Sequence, residues 1–263
     1  MLSNSLQIRG LLFAFLFGPP RFIEREEASK VHGAVCDALG HDDLSFHYST
    51  SGEAEKAGAK GFSIALQRKE GRGNFSVTID NKHFTQPIRL LLEYNWPPSR
   101  EHAKEKFDMT QEAAFEALAG DWQRVLAEVR IRAQCDTLEH DGLGFIRKKL
   151  LSSTGDWVAR LGSPLSFCGL KFEVATTPPK EVDPLEGPKR ELNIELLRED
   201  PRSLYLDQMS QWPQISSVPS IPGQLIPANT IRKITAKPSE YVDNAYDYLV
   251  ACVNSLAAFK EKL

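Results

Sequence analysis

Two stretches of this sequence follow the same order of elements, and this repetition constrains the fold more than any other feature. In the first, an apolar run at 6–17 precedes an amphipathic segment, a glycine-containing break and Leu44-Ser45-Phe46. In the second, an apolar run at 125–135 precedes another amphipathic segment, a similar break and Leu165-Ser166-Phe167. This order predicts one strand–helix–strand unit that is used twice.

The strands between these landmarks are indicated by alternating apolar and polar residues. Residues 61–69 and 74–80 alternate in this way, and Glu70-Gly71-Arg72-Gly73 between them is typical of a hairpin turn. The predicted fold is therefore α+β, with two similar βαβββα (ferredoxin-like) halves at 1–123 and 124–263. Each half is expected to be an antiparallel sheet with helices packed on one face.

Two helices are expected to close the halves. A helix capped at its N-terminus by Asp108 or Thr110 is predicted from four apolar residues at spacings of 3, 4 and 3. These are Phe115, Leu118, Trp122 and Val125. An apolar stripe over residues 241–260 predicts the last helix.

Composition excludes several classes of protein. The net charge of −3 and the pI near 6.1 give no overall bias toward nucleic acid or anionic lipid. The apolar run at 10–17 is too short to span a membrane and lacks a small-residue cleavage site, so we interpret it as a buried strand. Four scattered cysteines indicate a reducing compartment, and we expect a cytoplasmic protein with no membrane contact. These cysteines are Cys36, Cys135, Cys168 and Cys252.

A proline-rich arm at 212–238 interrupts the second half. Its apolar residues favour a surface on which they can lie, either the protein's own core or a protein partner. The candidate partner-binding residues are Trp212, Ile215, Val218, Ile221 and Leu225.

No strong catalytic or cofactor motif occurs in the sequence, so no catalytic residue and no cofactor is expected. His41-Asp42-Asp43, with His47 nearby, and Glu139-His140-Asp141 contain metal-ligand types. Both lie where turns are expected, where Asp and His are common, and no metal is expected.

Basic residues gather around the hairpin and along one later strand. They suit either a phosphate backbone or the protection of a sheet edge against aggregation. The candidate nucleic-acid-binding residues are Arg68, Lys69, Arg72, Arg130 and Arg132.

The strand Glu128-Val129-Arg130-Ile131-Arg132 and the closing helix around Asp247-Tyr248-Leu249 carry a resemblance to known proteins. The chain resembles a sporadically distributed family of uncharacterised bacterial proteins of about 250 residues, often encoded near mobile or defence genes. Its doubled order of elements is also similar to tandem ferredoxin-like RNA-processing proteins of prokaryotic adaptive immunity. Their C-terminal glycine-rich RNA-binding loop is absent here.

Three functions remain open at this point. The first is a non-catalytic binding or scaffold subunit that contacts a protein partner, in a prokaryotic defence or regulatory system. The second is an RNA-binding or RNA-processing protein, with His47 or His32 as general base. The third is a sensor with a small ligand in a cleft between the two halves.

Overall fold

The chain folds around one large antiparallel sheet, as a computed structural model shows. The structure describes residues 6–51, 61–83, 85–137, 141–146, 169–174, 188–197, 199–200, 202–212, 232–233 and 236–258. The strands are β1 (Gln7–Gly18), β2 (Ser45–Ser51), β3 (Gly61–Glu70), β4 (Gly73–Asn81), β5 (Ile88–Asn95), β6 (Gln123–Asp136), β7 (Gly169–Val174), β8 (Lys189–Leu196), β9 (Ser203–Trp212) and β10 (Arg232–Lys233). The helices are α1 (Arg25–Leu39), α2 (Arg100–Leu118), α3 (Gly142–Phe145) and α4 (Pro238–Ala258).

β1 lies at the centre of the sheet. Within the described residues the strand order is β2-β3-β4-β5-β1-β6-β9-β8-β7, and the short β10 also pairs with β6. β1 is antiparallel to both of its neighbours, so that Phe13 lies opposite Leu92 on β5 and Val129 on β6. The apolar run predicted as a buried strand is therefore flanked by a strand on each side.

The hairpin predicted at 70–73 joins β3 to β4. Glu70 pairs with Gly73, and the two residues between them form the turn. Gly71 adopts φ of 58°, a left-handed conformation that glycine reaches without steric cost. β3 and β4 therefore confirm the strands that the alternation at 61–69 and 74–80 predicts.

The helices α1, α2 and α4 pack on one face of the sheet. Tyr241 on α4 contacts the rings of Phe13 and Phe15, at centroid distances of 5.8 and 5.9 Å. Phe115 on α2 packs edge-to-face on Phe17 at 4.9 Å. Because successive side chains of a strand point to opposite faces, these aromatic residues form the core and their neighbours point away from it.

The predicted start of α2 is wrong. The helix begins at Arg100, and Ser99 caps it by accepting a hydrogen bond of 3.1 Å from the backbone N–H of His102. The preceding Pro97-Pro98 ends the extended segment, which leaves serine as the first residue able to cap. Asp108 lies inside the helix and accepts a hydrogen bond of 2.8 Å from the N–H of Ser239 at the start of α4.

The two predicted halves belong to one continuous sheet. β1 belongs to the first predicted half, and all of β6 but its first residue belongs to the second. The two strands are hydrogen-bonded to each other, so the predicted halves meet along paired strands and not at a cleft. The α+β class, the antiparallel sheet and the placement of α1, α2 and α4 on one face are confirmed. The second amphipathic segment, which the repeated strand–helix–strand order predicts as a helix before Leu165, lies largely outside the described residues. The division into two ferredoxin-like halves stays a prediction.

Candidate functional site

The densest group of ionisable side chains surrounds Glu70 at one end of the sheet. Its members come from β3, β5, α2 and the segment between α1 and β2, which meet near the turn of the β3–β4 hairpin. The Glu70 cluster consists of His41, Asp43, Arg68, Glu70, Tyr94, His102 and Lys106.

Glu70 is the hub of this cluster. Lys106 and the hydroxyl of Tyr94 donate hydrogen bonds to its two carboxylate oxygens, and an Arg68 guanidinium nitrogen lies 3.5 Å away. The Nε2 atoms of His41 and His102 each lie 3.8 Å from a carboxylate oxygen. The side chains of Glu70 and Lys106 are only 14% and 7% exposed. A charge that is buried to this degree requires a partner, and here each supplies the other.

These contacts shift the ionisation of the hub. Burial alone would raise the pKa of Glu70, but hydrogen bonds from Lys106 and Tyr94 and the charges of Lys106 and Arg68 outweigh it, so the pKa is lowered. Burial, together with the hydrogen bond to Glu70, raises the pKa of Tyr94. Glu70 therefore stays ionised and Tyr94 stays a hydrogen-bond donor.

The local backbone explains how separate elements reach this point. Gly40 ends α1 in a left-handed conformation (φ 64°), which places His41 directly after the helix. His102 and Lys106 are four residues apart on α2 and so share one helix face. Lys106 lies 3.3 Å from His41 Nε2, and since an ammonium only donates, the imidazole nitrogen accepts. The Glu70 cluster thus ties α1, α2 and the sheet together.

The second candidate site is the face of the sheet opposite α1, α2 and α4. We call it the open face because, among the described residues, these three helices leave it uncovered. Its centre is apolar, because alternate residues of the core strands are half-buried aliphatic side chains. These are Leu12, Ala14 and Leu16 on β1, Leu91 on β5 and Leu126 on β6. Register places Ala14 beside Leu91 and Leu16 beside Leu126, which makes the patch continuous.

Ion pairs surround this apolar centre. Arg89 makes two hydrogen bonds of 3.0 and 2.7 Å to Asp80. Arg130 is likewise held by both carboxylate oxygens of Asp207, and these hydrogen bonds raise the pKa of Arg130. The open face therefore carries both signs of charge, with acid and base paired.

The five predicted nucleic-acid-binding residues do not form one surface. Arg130 and Arg132 lie on the open face, where Arg132 pairs with Glu93 at 3.4 Å. Arg68 lies on the helix-covered side and pairs with Asp43 at 3.0 Å. Lys69 and Arg72 are exposed near the hairpin turn. Their use in RNA binding stays a prediction, and it requires the paired arginines to exchange a carboxylate for a phosphate.

The predicted partner-binding residues fall largely outside the described residues. Ile215, Val218, Ile221 and Leu225 belong to that part of the arm. Trp212 is the last residue of β9; it is fully buried, and its ring contacts Tyr241 at 5.2 Å. Its indole therefore packs in the core in this conformation, and the binding role of the arm stays a prediction.

The predicted histidines and their acidic neighbours occupy separate places in the fold. His32 contacts the carbonyl of Leu44 at 3.2 Å and stacks on Phe46, whereas His47 is exposed on the edge strand β2. Asp141 caps the short α3 by accepting from the Gly144 N–H, while Glu139 and His140 lie outside the described residues. Within the part of the chain that the structure describes, no three His, Cys, Asp or Glu side chains are grouped to hold a metal ion.

Sequence reasoning missed most of the Glu70 cluster. Glu70 continues the row of Phe62, Ile64 and Leu66 on β3, so its position predicts a side chain on the buried face. Lys106 is adjacent to the buried Phe107 on α2. A charged residue at a sequence position where the apolar pattern predicts burial indicates a buried ion pair.

Comparison with known proteins adds no further assignment. Neither a protein-family model nor a curated protein matches this sequence. Among the helices within the described residues, none has both the length and the apolar character needed to cross a membrane.

Proposed function

We propose that this protein is a non-catalytic binding subunit that works through protein–protein contacts, with the open face as its docking surface. One observation carries this proposal: the face has an apolar centre at Leu12, Ala14 and Leu16 within a border of paired charges. Stable protein interfaces have the same anatomy, with an apolar core and a polar rim.

The dimensions of the open face suit a specific interface. Nine strands spaced about 4.8 Å apart give a width of roughly 40 Å. With a depth of about 25 Å, which eight residues at about 3.3 Å each provide, the face covers on the order of 1,000 Å². A standard interface buries about 800 Å² on each partner.

The occupant that we propose is a second copy of this chain. A two-fold interface brings the same surface of each copy together, so every cation on one side must meet an anion on the other. The open face can meet this requirement, since each of Arg89, Arg130 and Arg132 has an anion beside it. These anions are Asp80, Asp207 and Glu93. Two sheets that pack face to face in this way are a common arrangement.

The proposal includes three expectations from the sequence: two ferredoxin-like halves, a cytoplasmic location and a role in a prokaryotic defence or regulatory system. The antiparallel β1–β6 pair at the centre supports two ferredoxin-like halves, because copies of one unit related by a two-fold axis meet along equivalent strands. A cytoplasmic role in a prokaryotic defence or regulatory system rests on the family resemblance and on the scattered cysteines.

The test is the oligomeric state of the full chain, measured by sedimentation velocity over about two decades of protein concentration. We expect a reversible dimer for the wild type. Ala14→Arg places a charge at the centre of the apolar patch and should weaken dimerisation at least about tenfold. Ala251→Arg makes the same change at an exposed position of α4 and should leave it unchanged. Circular dichroism checks that both variants fold.

A wild-type chain that stays monomeric throughout, or an Ala14→Arg variant that dimerises normally, overturns self-association. The open face is then available to a different protein or to RNA. Fluorescence anisotropy with a single-stranded RNA separates these outcomes, because only RNA binding should weaken steeply with salt and on changing Arg130 and Arg132 to Ala.

A further inference from the structure

A pocket lies between the C-terminal half of α2 and the loop that leads into β6. Its volume is about 410 Å³, which is the size of a small-molecule site. α2 contributes residues at positions 108, 111, 112 and 115, spaced so that they share one face of the helix. The residues that define this α2 pocket are Asp108, Gln111, Glu112, Phe115, Asp121 and Trp122.

The α2 pocket is acidic. Asp108, Glu112 and Asp121 contribute three carboxylates, against one ammonium from Lys237. Within the described residues, none of the three carboxylates has a cation at salt-bridge distance. Oδ1 of Asp108 accepts from the Ser239 N–H at 2.8 Å, which fixes that side chain and leaves Oδ2 for another donor. The charge therefore favours a cationic ligand.

A buried acceptor in the wall of the pocket points to a ligand independently of this charge. Gln111 is only 8% exposed, and its Oε1 atom has no hydrogen-bond partner among the described residues. Buried carbonyl oxygens are almost always paired, so an unpaired one beside a cavity indicates a donor that enters the cavity. An ammonium group provides such a donor and the opposite charge together.

Two aromatic rings form the apolar part of the pocket. Phe115 and Trp122 lie with centroids 6.4 Å apart and planes inclined by 27°. The guanidinium of Arg21 already lies 5.1 Å from the Trp122 ring, so this indole attracts cations. An aliphatic chain attached to an ammonium can pack on the rings while its charge faces the carboxylates.

We propose that the α2 pocket binds an aliphatic primary amine of the polyamine type. One ammonium donates to Gln111 Oε1 and lies among Asp108, Glu112 and Asp121, while the methylene chain contacts Phe115 and Trp122. A free polyamine and the lysine side chain of a partner share this chemistry. The site lies on the helix-covered side of the sheet and does not depend on the open face.

Isothermal titration of the full chain with spermidine and 1,4-diaminobutane tests the proposal. We expect saturable binding with one site per chain. Glu112→Gln and Asp121→Asn should each weaken it by about fivefold to tenfold, since each removes one charge at close range. Glu105→Gln is the matched control, because Glu105 is exposed on the same helix and is not part of the pocket.

Gln111→Met separates recognition from folding. It removes the unpaired carbonyl while keeping the size of the side chain, so the amine affinity should fall severalfold while the melting temperature stays the same or rises. A merely structural role of Gln111 predicts the opposite pattern, with a lower melting temperature and unchanged affinity.

Two further ligands identify the source and the chemistry. The first is Nα-acetyl-lysine amide. If it binds as tightly as the diamine, the pocket is assigned to the lysine side chain of a partner. If it binds more weakly, the pocket is assigned to a free polyamine. Butanol should not bind, because it lacks the charge. The proposal is overturned by the absence of binding at millimolar amine, by equal binding of butanol, or by a Glu105→Gln effect as large as that of Glu112→Gln.

Discussion

Glu70→Gln should destabilise this protein more than Lys106→Met, although both changes remove the same ion pair. Glu70 retains Tyr94 and Arg68 when the lysine is replaced. Lys106, by contrast, has Glu70 as its only carboxylate within salt-bridge distance among the described residues. Its ammonium is nearly fully buried, so the loss of the carboxylate leaves a charge without compensation.

The expected magnitudes follow from this asymmetry. Removing one partner of a buried ion pair costs about 3–5 kcal/mol, and the slight exposure of Glu70 places Glu70→Gln near 3 kcal/mol. Lys106→Met keeps an aliphatic stem but removes one hydrogen bond to a charged group and an ammonium that lies 5.5 Å from the centre of the Phe75 ring, a loss of about 1.5 kcal/mol. The double variant removes both charges together, so it should lose about 2 kcal/mol rather than the sum of the two.

Urea denaturation at pH 7, followed by circular dichroism, gives the free energy of unfolding for each variant. Glu101→Gln is the control, because Glu101 pairs with Lys104 at 2.9 Å but is 63% exposed, and such surface pairs contribute less than about 1 kcal/mol. The reasoning is refuted if the two single changes cost the same amount, or if their effects add in the double variant.

Three further predictions concern pH, turn geometry and thiol reactivity. Because folding lowers the pKa of Glu70, the contribution of its carboxylate to stability is present above a pH of about 4.5 and is lost as the pH falls through the pKa of the folded state. Acid unfolding monitored by fluorescence should therefore be less steep in Glu70→Gln. Gly71→Ala should lower the free energy of unfolding by about 1 kcal/mol because φ of Gly71 is positive. Gly33→Ala should raise it by about 0.5–1 kcal/mol because Gly33 lies in the interior of α1 with open space around the new methyl. Equal effects of the two changes in urea denaturation would contradict this. Burial raises the pKa of the Cys135 thiol to about 12, so mass spectrometry should find it unlabelled by iodoacetamide in the native protein and labelled in urea.

The sequence predicts strands better than it predicts what the strands bring together. The alternation at 61–69 and 74–80 identifies both strands and their buried face, because the period of two is a local property. The position of β1 between β5 and β6 depends on pairings between distant residues, which no local pattern records. The sequence misplaces α2 because only Phe115 and Leu118 of the predicted stripe belong to the helix, in its last turn, whereas Trp122 lies in the following loop and Val125 in β6. The cap is Ser99, which follows two prolines and precedes any apolar stripe.

The candidate site shows the same limit more sharply. Glu70 and Lys106 each occupy a register that predicts burial, yet neither position reveals the other as its partner. Their contact depends on how α2 crosses the sheet, which is set by aromatic packing such as that of Phe107 on Phe75. The sequence predicts Arg130 and Arg132 as basic residues along one strand but does not indicate their carboxylate partners, Asp207 and Glu93, which lie on strands distant in sequence.

The central position of β1 has a consequence for synthesis of the chain. The ribosome makes the segment Leu11 to Phe17 before it makes the strand partners of this segment at residues 88–95 and 123–134. At a translation rate of about 5–20 residues per second, this aromatic segment has no strand partner on either side for several seconds or more. An apolar segment of high β-propensity in that state is prone to aggregate, so chaperone binding to the nascent chain should be strongest before β6 emerges.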